Sequence, residues 1–266
     1  MLKLLLAILL MVSSATACST NTPPDLADNK DQTITIWMVR HGKTILNNLD
    51  RVQGWADSPL TQEGKRTAEY LGAGLKDIRF DAFYSSDAGR QRETMKIIQR
   101  QIGMETAPLT ELTGLREVYF GSFEGGFNRD MAAAGARQLG LNGADALFSR
   151  MKAGTLPIKD NINAIASADP SGMTESYLQV KTRVQAALHT IINNALRQHQ
   201  KNILVISSGT ALQIMISDLT DNPQKNKPLA NSAVVKLVYH KGNISVTEIG
   251  NMSYIEQGKK ALMPSN

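Results

Sequence analysis

Arg40, His41 and Gly42 stand where an apolar run ends, and that position gives them chemical meaning. Ile34-Thr35-Ile36-Trp37-Met38-Val39 reads as a buried strand. In an open α/β sheet the carboxyl ends of strands are where ligands bind. Arg40 offers a planar fork that suits phosphate or carboxylate. His41 can serve as a nucleophile or an acid/base near neutral pH. Gly42 permits a tight turn or a close backbone approach. A second apolar run, Phe80 to Ser86, is followed by Arg90, which again places a cation just past a strand end. Glu117 lies in Leu115-Arg116-Glu117-Val118-Tyr119-Phe120-Gly121, a carboxyl able to protonate a leaving alkoxide. A third buried run, Asn202 to Ile206, ends in Ser207-Ser208-Gly209.

These candidates need elements to carry them. Thr61 reads as an N-cap, and the helix after it places Ala68, Leu71 and Leu75 on one face. A second amphipathic helix follows Arg90 through Met95, Ile98 and Ile102, with Arg92 on its solvated side. Residues 126–173 show no strand alternation and suggest two helical pieces, near Arg129 to Leu139 and Ala144 to Met151. Thr174-Glu175-Ser176 caps a long helix, with Tyr177, Val180, Val184, Leu188, Ile191 and Ala195 as a core stripe. Ala233 to His240 and Ser245 to Ile249, joined through Lys241-Gly242-Asn243, read as a hairpin. Gly42-Lys43-Thr44 is not a P-loop, because that motif needs a glycine where Trp37 stands.

Together, Arg40-His41-Gly42-Lys43-Thr44, Asn47, Asp57-Ser58-Pro59-Leu60-Thr61 and Gly64 resemble the histidine phosphatase superfamily, phosphoglycerate-mutase-like branch. The Ser-Pro-Leu-Thr version is closer to phosphatases than to glycolytic mutases. The resemblance covers roughly residues 34–255. It implies a three-layer α/β/α fold with a mostly parallel sheet, an antiparallel edge and a helical cap. The domain would span 33–258, with the cap at about 122–173, covering the site and setting substrate choice. It further implies that His41 attacks phosphorus to give a phosphohistidine, so that the chain is a histidine acid phosphatase-like phosphomonoesterase. Arg40, Arg90 and Asn47 would hold the phosphoryl oxygens, with Glu117 as proton donor. Thr44, Gln53, Gly54, Ser208 and Gly209 would complete the substrate site, and Arg183 with Glu175-Ser176 would lie beside it. The family normally carries a second His where Ser208 stands, and none of the other three histidines, His189, His199 and His240, lies near it. Ser208 brings one neutral hydrogen bond and no charge, so turnover would be weakened. The rival reading is a degenerate phosphatase that binds a phosphorylated ligand or a partner.

No cluster of His, Cys and carboxylates has metal-ligand spacing, so neither a metal nor another cofactor is expected. Nor does any segment resemble a nucleic-acid module. The length suits one large α/β domain, and apolar content is an ordinary 42%. Residues 1–17 read as a signal peptide: Lys3, then apolar Leu4 to Val12, then small Ser13 to Ala17. Ala15-Thr16-Ala17-Cys18 resembles a lipobox, and Cys18, the only cysteine, would be lipidated and become the N-terminus. Ser19 favours outer-membrane sorting in Gram-negative bacteria by family rules, and 18–32, with Pro23-Pro24, suits a tether to the periplasmic face. Cleavage would leave 28 Lys and Arg against 24 Asp and Glu, a net charge of +4. That mild excess fits an anionic substrate or membrane surface. The mature protein is therefore expected to partition with membranes, and Cys18→Ala to appear soluble or unprocessed. Intact-mass measurement from the native host, showing an unmodified Cys18, would refute lipidation.

Overall fold

The computed structural model describes residues 31–263. The signal peptide, Cys18 and nearly all of the tether lie outside the described residues. Among the described residues no helix is long and apolar enough to cross a membrane.

Six strands form one sheet: β1 (Thr33–Arg40), β2 (Ala82–Ser85), β3 (Leu109–Glu111), β4 (Asn202–Ser207), β5 (Val234–His240) and β6 (Asn243–Asn251), in the order β3-β2-β4-β1-β5-β6. The pairs β3/β2, β2/β4 and β4/β1 are parallel, whereas β5 and β6 add antiparallel strands beyond β1. Successive side chains of a strand point to opposite faces, and β1 uses both. Ile34, Ile36 and Met38 face a core completed by α7 (Tyr177–Arg197) and α8 (Gly209–Ile216). Trp37 and Val39 face a second core with α2 (Gln62–Leu75), α3 (Gly89–Gln101) and α9 (Ser253–Leu262). This two-sided burial makes the three layers.

The expected caps are present. The Thr61 side chain accepts from Gly64 N at the start of α2, and Ser176 forms a capping box with Gln179 at the start of α7. α9 was not anticipated and carries the domain to Leu262, past the boundary expected at 258. It lies so close to α2 that a Cβ on Gly258 would stand 1.7 Å from the Tyr70 carbonyl oxygen.

The cap has three helices rather than two: α4 (Asn128–Gln138), α5 (Gly143–Ala153) and α6 (Ile158–Ala168). The third escapes a quick reading because Asp160, Asn161 and Asn163 interrupt it. Its apolar positions, Ile158, Ile162 and Ile165, still fall at helical spacing, and all three enter the main core rather than a separate one. The cap is therefore sewn into the body through α6. α4 and α5 add a small core of their own, with Ala132, Ala136, Ala144 and Leu147.

Where the cap rejoins the body, Asp169 accepts from Ser122 Oγ, Ser171 Oγ and the backbone N–H groups of Ser171, Met173 and Thr174. Burial pushes its pKa up, but the hydrogen bonds from Ser122, Ser171 and Thr174 outweigh that and hold it well below the ordinary carboxylate value. A depressed folded pKa contributes stability above the unfolded value of about 4 and loses it as pH falls. Asp169→Ala should cost on the order of 3 kcal/mol at pH 7. The difference in melting temperature between wild type and variant should shrink as pH falls from about 4 toward 2. A pH-independent difference in calorimetry would contradict this account.

Candidate active site

Parallel pairing brings three strand ends to one edge. Arg40 pairs with Ser207, and Ser85 with Ile206, so the turns after β1, β2 and β4 converge. The antiparallel β5 begins there too, bringing residues 229–232 alongside.

His41 is 3% exposed. Its Nδ1 lies 2.8 Å from the Gly42 carbonyl oxygen. A carbonyl can only accept, so Nδ1 carries the proton and Nε2 keeps its lone pair. Burial lowers the imidazole pKa well below 6.5, and the positive charges of Arg90 and Arg40 push it down further; the Gly42 bond opposes them. His41 is thus a neutral, oriented base or nucleophile.

The two arginines differ. Arg40 lines the cavity, donates from Nη1 to the Leu229 carbonyl, and has an Nε buried without a partner. Arg90 is 1% exposed and lies behind the cavity wall rather than on it. It donates from Nη1 to Ala56 O (3.1 Å) and Asp57 Oδ1 (3.0 Å), and from Nη2 to Gly54 O (2.7 Å). Its Nε is also unpartnered. Gly54 allows this contact region to close: a Cβ there would stand 2.1 Å from the Val118 carbonyl oxygen and 2.2 Å from Glu124 Oε1. Arg92, as expected, points away and pairs with Glu111 at the surface.

Around His41 the polar side chains interlock. Gly42 N donates to Thr94 Oγ1, which donates in turn to Arg90 O, tying the β1 turn to α3. Thr44 caps the single-turn helix α1 (Ile45–Asn48) and donates to Gln53 Oε1, whose amide reaches Ser58. Asn231 Nδ2 donates to His41 O (3.1 Å) and Asn47 Oδ1 (3.2 Å).

Glu117 is 7% exposed, and its carboxylate is fixed by three backbone N–H groups. Oε1 accepts from Val118 and Ala211, each at 2.9 Å, and Oε2 from Thr210 at 3.0 Å. Two of these belong to the first turn of α8, whose N–H groups have no partner within the helix. The Glu117 carbonyl accepts from Arg183 Nη2 and Trp55 Nε1, and Arg183 also pairs with Glu175. The segment expected beside the site therefore holds the backbone that carries Glu117.

Ser208, N-cap of α8, is fully buried and does not line the cavity. Its Oγ accepts from Gln91 Nε2 (2.9 Å) and lies 3.4 Å from Arg90 Nη2. Thr44, Gly54 and Gly209 likewise sit behind the wall, whereas Asn47, Gln53 and Glu117 reach it along with Thr210. The cavity measures about 340 Å³, and its far wall comes from α4, α5 and α6. Thr94, Gln91, Asn231 and Thr210 have no sequence signal of their own; only neighbouring motifs could have pointed to them.

A neutral imidazole near buried guanidiniums, with a fixed carboxylate on the same cavity lining, places a nucleophile or base beside positive charge. The sequence pattern of the histidine phosphatase superfamily (branch 1) matches residues 36–154 and 156–252, and the chain belongs to that family. A Bacillus anthracis str. Sterne phosphoglycerate mutase structure is 35% identical with a TM-score of 0.82, covering 87% of this chain and 99% of that one. The Proteus mirabilis (strain HI4320) protein named Probable phosphoglycerate mutase GpmB is 28% identical over 77% of this chain and 85% of that protein. The Saccharomyces cerevisiae (strain ATCC 204508 / S288c) broad-specificity phosphatase YOR283W is 25% identical over 90% and 96%. Phosphatase- or mutase-type phosphoryl transfer on a phosphorylated small molecule follows.

The depressed His41 pKa predicts its titration. The His41 ring resonance in the ligand-free protein should have its NMR midpoint below 6.5, because the neutral form is favoured. A midpoint at or above 6.5 would mean that burial and the two guanidiniums do not control the imidazole.

Proposed function

We propose that this protein is a metal-independent phosphomonoesterase working through a phosphohistidine on Nε2 of His41. The observation that carries the reading is the charge arrangement. Burial and the neighbouring Arg90 both lower the Arg40 pKa, and only Glu117 pulls it up. Arg40 lines the cavity with Arg90 close behind it, a positive region that would attract an anion.

In the first step His41 Nε2 attacks phosphorus and the ester oxygen leaves. Arg40 and Asn47, on the wall, contact the phosphoryl oxygens, while Arg90 stabilises the same charge from one layer deeper. Glu117 donates a proton to the leaving oxygen. Oε2 accepts one backbone bond against two on Oε1, so it is the oxygen with capacity for that proton. In the second step Glu117 takes a proton from water, which attacks the phosphohistidine and restores His41. Among the described residues no three His, Cys, Asp or Glu side chains converge as metal ligands.

Hydrolysis is preferred over mutase action for a protein we place outside the cytoplasm, anchored through Cys18. Ser208, in our reading, replaces a second imidazole and weakens the site. It is the one observation favouring the rival, a phospho-ligand-binding protein with little turnover.

Wild type should hydrolyse a generic aryl phosphate at a rate insensitive to EDTA. His41→Ala should lower turnover by at least about 10⁴-fold while leaving the melting temperature nearly unchanged. Acid-labile, base-stable radiolabel should be trapped on wild type only. Binding without turnover would select the rival, and EDTA inhibition reversed by a divalent ion would exclude the proposed route.

A further inference from the structure

Glu124 follows the short turn after Phe120 and does not line the cavity. It is partly buried, and its carboxylate gathers four backbone N–H groups. Oε1 accepts from Trp55 N (2.8 Å) and Phe120 N (3.0 Å). Oε2 accepts from Gly54 N (3.1 Å) and Ala56 N (2.9 Å). Three of these donors are successive residues, so one side of the 54–56 loop is a concavity of N–H groups closed around a negative charge.

The other side of that loop faces Arg90. Gly54 O accepts from Arg90 Nη2 at 2.7 Å, and Ala56 O from Nη1 at 3.1 Å. Gly54 O and Trp55 N belong to the same peptide unit, which is trans. In a trans peptide the C=O and the N–H point in opposite directions. The Gly54–Trp55 peptide therefore stands between a carboxylate and a guanidinium, and offers each the end of its dipole that suits it. Hydrogen bonds linked in such a chain polarise one another. Turning the peptide over would set a carbonyl against Glu124 and an N–H against Arg90. Gly54 leaves room for this arrangement, since a Cβ there would stand 2.2 Å from Glu124 Oε1.

We infer that Glu124 is a positioning residue: it fixes the Gly54–Trp55 peptide, and through that peptide the Arg90 guanidinium that acts on the phosphoryl group. This deepens, and rests on, the phosphomonoesterase reading. A small displacement of a group that stabilises the transition state is enough to slow the reaction. Glu124 has a second route to the site, which the test must separate. Phe120 N ties it to the segment that carries Glu117, and Trp55 Nε1 donates to Glu117 O. An effect through Arg90 falls on the phosphoryl group, which every substrate shares. An effect through Glu117 falls on protonation of the leaving oxygen and grows with its basicity.

The test is a double-mutant cycle in kcat on 4-nitrophenyl and phenyl phosphate, whose leaving oxygens differ in basicity. Glu124→Gln should lower kcat by about tenfold or more, and equally on both esters. In an Arg90→Lys background the same change should alter kcat by less than about threefold, because the fork that Glu124 positions is gone. Glu124→Asp, which keeps the charge but shortens its reach, serves if the Gln variant does not fold, and Arg90→Met serves likewise for Lys. The same fold-loss in both backgrounds, as a merely structural role would give, overturns the inference. So does an unchanged kcat, or a loss that is greater on phenyl phosphate. If wild type turns over neither ester, the phosphomonoesterase reading fails instead. The same cycle read on orthovanadate affinity by calorimetry then decides the inference: coupling between the two positions supports it, and additivity overturns it.

Discussion

Everything near the site depends on placing two guanidiniums and an unprotonated imidazole in one buried region. Burial makes each charge costly. Arg90 is compensated by Asp57 and by the carbonyls of Ala56 and Gly54. Arg40 has the Leu229 carbonyl and the field of Glu117. His41 avoids the cost by remaining neutral, and the Gly42 carbonyl settles which nitrogen keeps the lone pair. The Gly54 contact, the loop before β5 and the Asp57 side chain are consequences of that constraint. Each supplies an acceptor that sheet geometry alone would not place there.

A second division of labour follows. The strand ends are held by backbone pairing and by two apolar cores, so the phosphate end cannot change without disturbing the fold. The cap wall comes from short helices with a small core of their own. They join the body through α6 and the Asp169 knot. Residues on α4, α5 and α6 therefore line the cavity without belonging to the strand ends that carry His41 and Arg40.

Legibility in the sequence tracked periodicity. β1 and β4 announced themselves as apolar runs, so the residues just past them could be assigned to one edge from the sequence alone. The hairpin was visible from its turn residues, and α7 from its stripe. β3 was too short to show. α6 has clear apolar spacing but is broken by Asp160, Asn161 and Asn163. Thr94, Gln91 and Asn231 are ordinary polar residues whose roles exist only through long-range contacts. The placement of Arg90 behind the wall was not readable either, since distance past a strand says nothing about depth.

Ser208 is where sequence pattern and fold pull apart. By the resemblance alone it reads as a loss, a neutral hydroxyl where a cationic donor would be expected. In the fold it is a shared acceptor. Gln91, held through its Oε1 by the Ser86 N–H, donates to Ser208 Oγ, and Arg90 approaches the same oxygen. An imidazole at this position would displace the Gln91 amide and crowd Arg90, because all three side chains are buried. Positive potential in this region comes from Arg40 and Arg90, and Arg90 is held by Asp57 and by the carbonyls of Ala56 and Gly54. Arg90 is 1% exposed, so its charge is screened far less than a surface cation's would be, and Asp57 is the carboxylate that offsets it.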